Sequence, residues 1–183
     1  MTYLILFSIL TLSCKGKQTT ETLKITDFNF ESIFGMTPKE PKNSYCLLGT
    51  GFFRAPQSDN SDSLIAEWIK AHPNAIVVPV SSFVQTKNSE MVYCWVIDSK
   101  DTLNNYLIRN GCFPSGTMMR PKTWSEMGKR EKEFYEGSDE KPNIKVYMNK
   151  EGYETFIEQI KNAELYARKN KLGIWLKEPD EIE

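Results

Sequence analysis

The chain has 183 residues and a formal net charge of −1, with Lys+Arg 23 against Asp+Glu 24. That is the size of one ordinary domain, and the balance excludes a generally basic nucleic-acid coat. Hydrophobic residues at 40% and charged residues at 26% exclude a disordered or fibrous chain, while one His and four Cys exclude a His-rich metal centre and a dense disulfide scaffold.

Residues 1–14 (MTYLILFSILTLSC) carry no charge. Their apolar run of roughly 12 residues is too short to span a bilayer as a helix and has the length of a signal-peptide apolar region. Residues 15–24 are polar and without periodicity, as in a tether. In the mixed stretch 25–53, Phe28, Phe30, Ile33 and Phe34 are core material, Pro38 and Pro41 punctuate, and Tyr45–Phe53 reads as a short strand or pair of strands broken by glycines. Asp62 or Ser63 caps a helix that runs to Ala71, and Leu64, Ile65, Trp68 and Ile69 share its apolar face. Ala75–Val80 is a β-branched strand in which Pro79 marks an edge or a bulge. Met91–Ile97 is a second strand, with Cys94 as a buried inert thiol and a turn at 98–101.

A short helix, Leu103–Arg109, is stopped by Asn110-Gly111. Residues 112–149 form a long connection, with a capping box of Thr123 and Glu126 opening a helix and a solvated charged run at 129–133. Asn143–Met148 is a last short strand. The final helix runs from Gly152 to Lys171 and buries Tyr153, Phe156, Ile157, Ile160, Ala163 and Ala167 as one stripe. Gly173 suits a left-handed stop, after which Ile174-Trp175 folds back on the core. The pattern by itself is α+β.

The leader ends in Leu12-Ser13-Cys14 and turns polar at once. It resembles a bacterial lipoprotein signal. The resemblance implies that Cys14 is lipidated, that the chain is exported to the bacterial cell envelope, and that a membrane is its partner through a lipid anchor. Cys46, Cys94 and Cys112 then remain, an odd number that leaves at least one free thiol, with any bridge open as to its pair.

A second resemblance rests on two patterns. Ala163–Trp175 (AELYARKNKLGIW) is a basic helix with small Ala positions followed by Gly-Ile-Trp. Asp98 followed by Leu103–Gly111 (LNNYLIRNG) gives strand, turn and helix. In this order they resemble the thermonuclease (staphylococcal-nuclease-like) domain. The resemblance implies a single domain over 25–183, a five-stranded OB-type β-barrel with packed helices and an inserted helical connection at 112–149. Asn104, Gly111, Gly173 and Trp175 are its markers, and their expected roles are structural: Asn104 bonds a turn, Gly111 stops a helix, Trp175 plugs the core.

Members of that family cleave phosphodiesters with an R-x4-D-x2-E loop, a second Arg before a later strand and an Asp from a DGDT-like strand. Forked cations and a hard metal held by carboxylates stabilise the dianionic transition state. Here Arg54, Asp59 and Asp62 reproduce the loop spacing with Asp in place of Glu. By the resemblance Arg54 and Asp62 are catalytic candidates and Asp59 a candidate Ca²⁺ ligand. The plainer reading has Asp59 and Asp62 capping the following helix and Arg54 on the surface. Glu90 occupies the place of the second Arg, reversing its charge, and only Asp27 stands near the missing DGDT. His72, the single imidazole, has no partner suggested by the sequence and benefits from the negative end of its helix. The expectation is a lipid-anchored, catalytically degenerate binding or interaction module whose ligand or protein partner is unknown. Neutral charge disfavours nucleic acid as that ligand. The alternative is a Ca²⁺-dependent nuclease in which Arg109 or Arg120 replaces the missing Arg. A third is a structural envelope protein that docks a partner on the charged 123–136 helix.

Overall fold

The longest pairing in the molecule joins the two strands read at 75–80 and 91–97. In the computed structural model, which describes residues 22–50, 56–86, 88–116, 122–133 and 144–176, they are β4 (Ile76–Thr86) and β5 (Ser89–Asp98). Cys14, Arg54 and Arg120 lie outside the described residues. The β4–β5 ladder is antiparallel and shifts register between Pro79 and Ser81. Proline has no N–H to give a neighbouring strand, so a bulge forms where the residue sits.

The chain is α+β. Before β4 come a 3-10 turn (Ile25–Asp27), β1 (Asn29–Glu31), β2 (Phe34–Met36), β3 (Ser44–Leu47) and α1 (Ser61–Ala71). After β5 come β6 (Asp101–Thr102), α2 (Leu103–Arg109), α3 (Lys129–Glu133), β7 (Ile144–Val146), α4 (Lys150–Lys169) and a second 3-10 turn (Gly173–Trp175). The sheet has seven strands in the order β1-β2-β3-β5-β4-β7, with β6 paired to β5. β3 and β5 run parallel and the other neighbours antiparallel. Seven strands thus stand where five were expected, and the named strands form an open path. One isolated bridge crosses the gap. Lys24 pairs with Ile76, flanked by hydrogen bonds from Ile25 N to Ala75 O and from Val77 N to Leu23 O, both 2.8 Å. The free edge of β4 is therefore shared between the segment before β1 and, further along, β7 at Ser81–Phe83.

Side chains alternate across a strand, and residues in register share a face. Tyr45 and Leu47 of β3 stand in register with Val92 and Cys94 of β5, and Val77 of β4 with Val96; all are buried. On the other face of β5, Trp95 lies 3.9 Å from the ring of Phe156 in α4. α4 buries the six stripe residues read from the sequence. It begins at Lys150, ahead of Gly152, because Asn149 Oδ1 accepts Gly152 N at 2.8 Å and supplies the cap.

Three local expectations are corrected. The N-cap position of α1 is Asn60, so neither Asp62 nor Ser63 caps it. Thr123 and Glu126 do bond each other (Thr123 N to Glu126 Oε2, 2.8 Å), but they close a turn, and the helix starts at Lys129. That helix buries no residue, in keeping with a solvated run. Among the described residues Cys46, Cys94 and Cys112 are free and buried. Cys46 is in register with Tyr93, so it points away from Cys94 and no bridge can join them. Burial pushes the Cys46 thiol up to about 12 and the Cys112 thiol to about 11, and raises Cys94 well above its ordinary value.

Candidate functional site

Asn104 sits where β3 leaves the sheet, and Gly111 and Gly173 meet beyond the end of α2. Asn104 is completely buried. Its Nδ2 donates to Leu48 O at 2.8 Å and Cys94 O at 3.1 Å, and its Oδ1 accepts from Val96 N at 3.0 Å. It thereby ties the exit of β3, the middle of β5 and α2 together, a larger role than bonding a turn. Thr102 Oγ1 does the helix capping, accepting Asn105 N at 3.0 Å. Gly111 and Gly173 both have left-handed backbone, φ 69 and 54. A Cβ on Gly111 would lie 2.1 Å from Leu172 O, and one on Gly173 2.2 Å from Gly111 O. Ile174 N donates to Gly111 O at 2.9 Å. The two sequence patterns, over sixty residues apart, therefore meet backbone to backbone. Trp175 does not plug the core. The short 3-10 turn leaves it half-buried on the flank of α4, with the Arg168 guanidinium 3.7 Å above its ring.

Asp59 and Asp62 are both exposed. Asp62 stands in the first turn of α1, where a negative charge suits the helix dipole. The loop before them is anchored at the exit end of β3. Ser32 donates to Gln57 Oε1 at 3.1 Å, and Ser32 belongs to the β1–β2 turn, whose Ile33 O accepts Leu47 N at 2.9 Å. Ser58 N donates to Cys112 O at 2.9 Å, just past α2. Among the described residues no group of three His, Cys, Asp or Glu could hold a metal ion. Asp27, the remaining candidate for the missing DGDT ligand, is paired with Lys39 at 3.0 Å, which together with a bond to the Lys24 N–H holds it below the usual carboxylate range.

Glu90 lies at the opposite end. Because β3 and β5 are parallel, with Ser44 beside Met91 and Leu47 beside Cys94, Glu90 is next to the start of β3; its N–H donates to Asn43 Oδ1 at 3.1 Å. About 15 Å of strand, at about 3.3 Å per residue, separates it from the loop that carries Asp59 and Asp62. The structure does not bring these residues together. Nor is Glu90 an unopposed charge. Lys145 of β7 pairs with it at 2.5 Å and Ser82 donates to it at 2.7 Å. The bond from Lys145, then that from Ser82, holds the Glu90 carboxyl below its usual range, and Glu90 in turn raises Lys145. Ser82 also meets the Tyr147 hydroxyl at 3.1 Å. Beside this network Tyr45 and Asn43 both donate to Glu40 Oε2, at 2.6 and 2.8 Å. Burial, then the Glu40 bond, raises the Tyr45 phenol so that it remains a donor. Lys145 and Tyr147 form an exposed rim of hydrogen-bonding groups at this end of the sheet.

His72 has a partner that sequence reading missed. Its Nδ1 lies 2.9 Å from Asp98 Oδ2, and its ring stacks on Trp68 with centroids 4.2 Å apart. The residue occupies the C-cap of α1. No hydroxyl or thiol bonds to it among the described residues, so the pair is not assembled as a nucleophile and base. In comparisons with known proteins, no protein-family model and no curated protein matches this chain.

Proposed function

We propose that this chain is a lipid-anchored, exported protein of the bacterial cell envelope. In this reading its thermonuclease-like domain has lost nuclease chemistry and works as a binding or interaction module. The strand order supports the fold. β4 lies beside the segment that leads into β1, and β1-β2-β3 follow in sequence, the 4-1-2-3 arrangement of a Greek key. With β5 between β3 and β4, this order is the one expected of a five-stranded OB-type barrel, which supports that reading of the open sheet. β7 comes from the connection at 112–149 and takes the part of the β4 edge that the ring leaves unpaired.

The observation that carries the loss of chemistry is the Glu90–Lys145 pair. Where the resemblance implies a phosphate-binding Arg, this chain has a carboxylate already neutralised by a lysine from the insertion. The acidic loop candidates sit at the other end of the strand. One missing preorganised electrostatic contact costs about 100- to 1,000-fold in rate. The test incubates the full chain with denatured DNA and Ca²⁺, with and without chelator. No cleavage above background is expected. Chelator-sensitive cleavage that disappears in Arg54→Ala would overturn the reading, making Ca²⁺ the cofactor, Asp59 its ligand, and Arg54 and Asp62 the catalytic pair.

A further inference from the structure

The helix stop Asn110-Gly111 is the one Asn-Gly pair in the chain. Such a pair reacts slowly in water when its backbone is free, because glycine has no side chain to keep its nitrogen from the neighbouring amide carbon. The Gly111 nitrogen bonds to Asn110 Cγ, the Cγ–Nδ2 bond breaks, and ammonia leaves with the proton of that nitrogen. Solvent water then opens the cyclic imide at one carbonyl or the other, leaving aspartate or isoaspartate. Asn43, Asn60 and Asn88 each precede serine, whose Cβ hinders the same attack.

The fold holds each reacting group away from this step. Asn110 is the C-cap of α2, with φ −86 and ψ 2. At that ψ, tetrahedral geometry turns the Gly111 nitrogen about 120° from Asn110 Cβ, whereas ring closure needs the two nearly eclipsed. Gly111 N donates to Ile108 O at 2.9 Å, and Asn110 Nδ2 donates to Tyr106 O at 2.8 Å. Gly111 is buried, and its carbonyl accepts Ile174 N from the 3-10 turn at Gly173–Trp175. The rotation that would close the ring therefore has to lift that turn first.

We propose that Asn110 is a fold-gated deamidation site, closed while the Gly173–Trp175 turn is docked and open once it lifts. The reaction then destroys the junction that gates it. Either product loses the Nδ2 donor and sets a carboxylate against Tyr106 O at the negative end of α2. Isoaspartate also lengthens the main chain by one carbon beside a glycine packed against the Leu172 and Gly173 backbone. A molecule that reacts while open cannot rebuild the contact, so the pair counts time spent unfolded.

The test holds the full chain in mildly alkaline buffer with and without urea. The digested peptide carrying residue 110 is followed by its mass and by enzymatic methylation of isoaspartate. Modification in buffer should be at least about 10-fold slower than in urea, as for a group exposed only by opening of the structure around it. Gly173→Ala, which presses the junction apart, should react several-fold faster than wild type in buffer. Neither measurement alters residue 110. A third dilutes the chain from urea after increasing times. The refolded fraction of wild type should fall in step with modification. Asn110→Gln, whose longer side chain would have to close a six-membered ring, should keep its yield. Equal rates with and without urea overturn the proposal. So does a Gly173→Ala rate equal to that of wild type, or a refolding yield that falls as fast in Asn110→Gln.

Discussion

At the end where β3 leaves the sheet, Asn104 has its whole amide on buried backbone and two glycines let chain segments touch where no side chain fits. At the other end, Glu90, Lys145 and Tyr147 make a comparable number of bonds around the buried Ser82, with their own outer edges in water. Buried bonds leave stranded polar groups when one partner is removed; half-exposed ones hand theirs to solvent. The same two strands thus carry one end tied through buried backbone and one end tied through side chains that reach the surface.

The sharpest break in that contrast is Asn104→Ala. It leaves Val96 N–H and the carbonyls of Leu48 and Cys94 without this partner in the core, and should cost about 4 kcal/mol in urea unfolding, at about 1–3 kcal/mol per stranded group. A loss below about 1 kcal/mol would show that water reaches this end as well. Gly173→Ala comes next. A methyl at φ 54 would press on Gly111 O, and strained backbone plus the forced separation should cost about 3 kcal/mol by the same measurement. Glu90→Gln should be smallest, about 0.5 kcal/mol at pH 7 for a half-exposed pair. Its signature is in acid. Because Lys145 and Ser82 hold the folded carboxyl low, its stabilisation is complete above the unfolded value of about 4.3 and fades as pH falls through the lower folded value. The difference between wild type and Glu90→Gln should therefore vanish once pH lies below that folded value. A difference that persists there would mean the pair is not what stabilises this end.

Long periodic elements were legible from sequence. α2 has the predicted bounds, α4 buries the predicted stripe, and Pro79 marked a real bulge. β1 and β2 were not read because three residues each are too few for alternation to show. The Thr123–Glu126 box was a sound local signal with no apolar face behind it, so it closes a turn and no more. Of the candidate site, residue types could be found but not their assembly. Glu90 meets a lysine 55 positions on, and His72 a carboxylate 26 positions on. No spacing rule connects such pairs, because the contacts are made by sheet order. The R-x4-D-x2-E spacing, by contrast, is visible in the chain and says nothing of which strand end it occupies.

The Lys24–Ile76 bridge has a kinetic meaning. With its two flanking hydrogen bonds it ties the segment before β1 to the start of β4, and it joins positions about fifty residues apart, so forming it early would surrender the conformational freedom of the whole first half of the chain. The β4–β5 hairpin closes over a far shorter loop and is expected to form first. The seam is then a late event. Weakening it should hasten unfolding and leave the folding rate nearly untouched, which places control of this domain's lifetime where residues 23–25 meet β4.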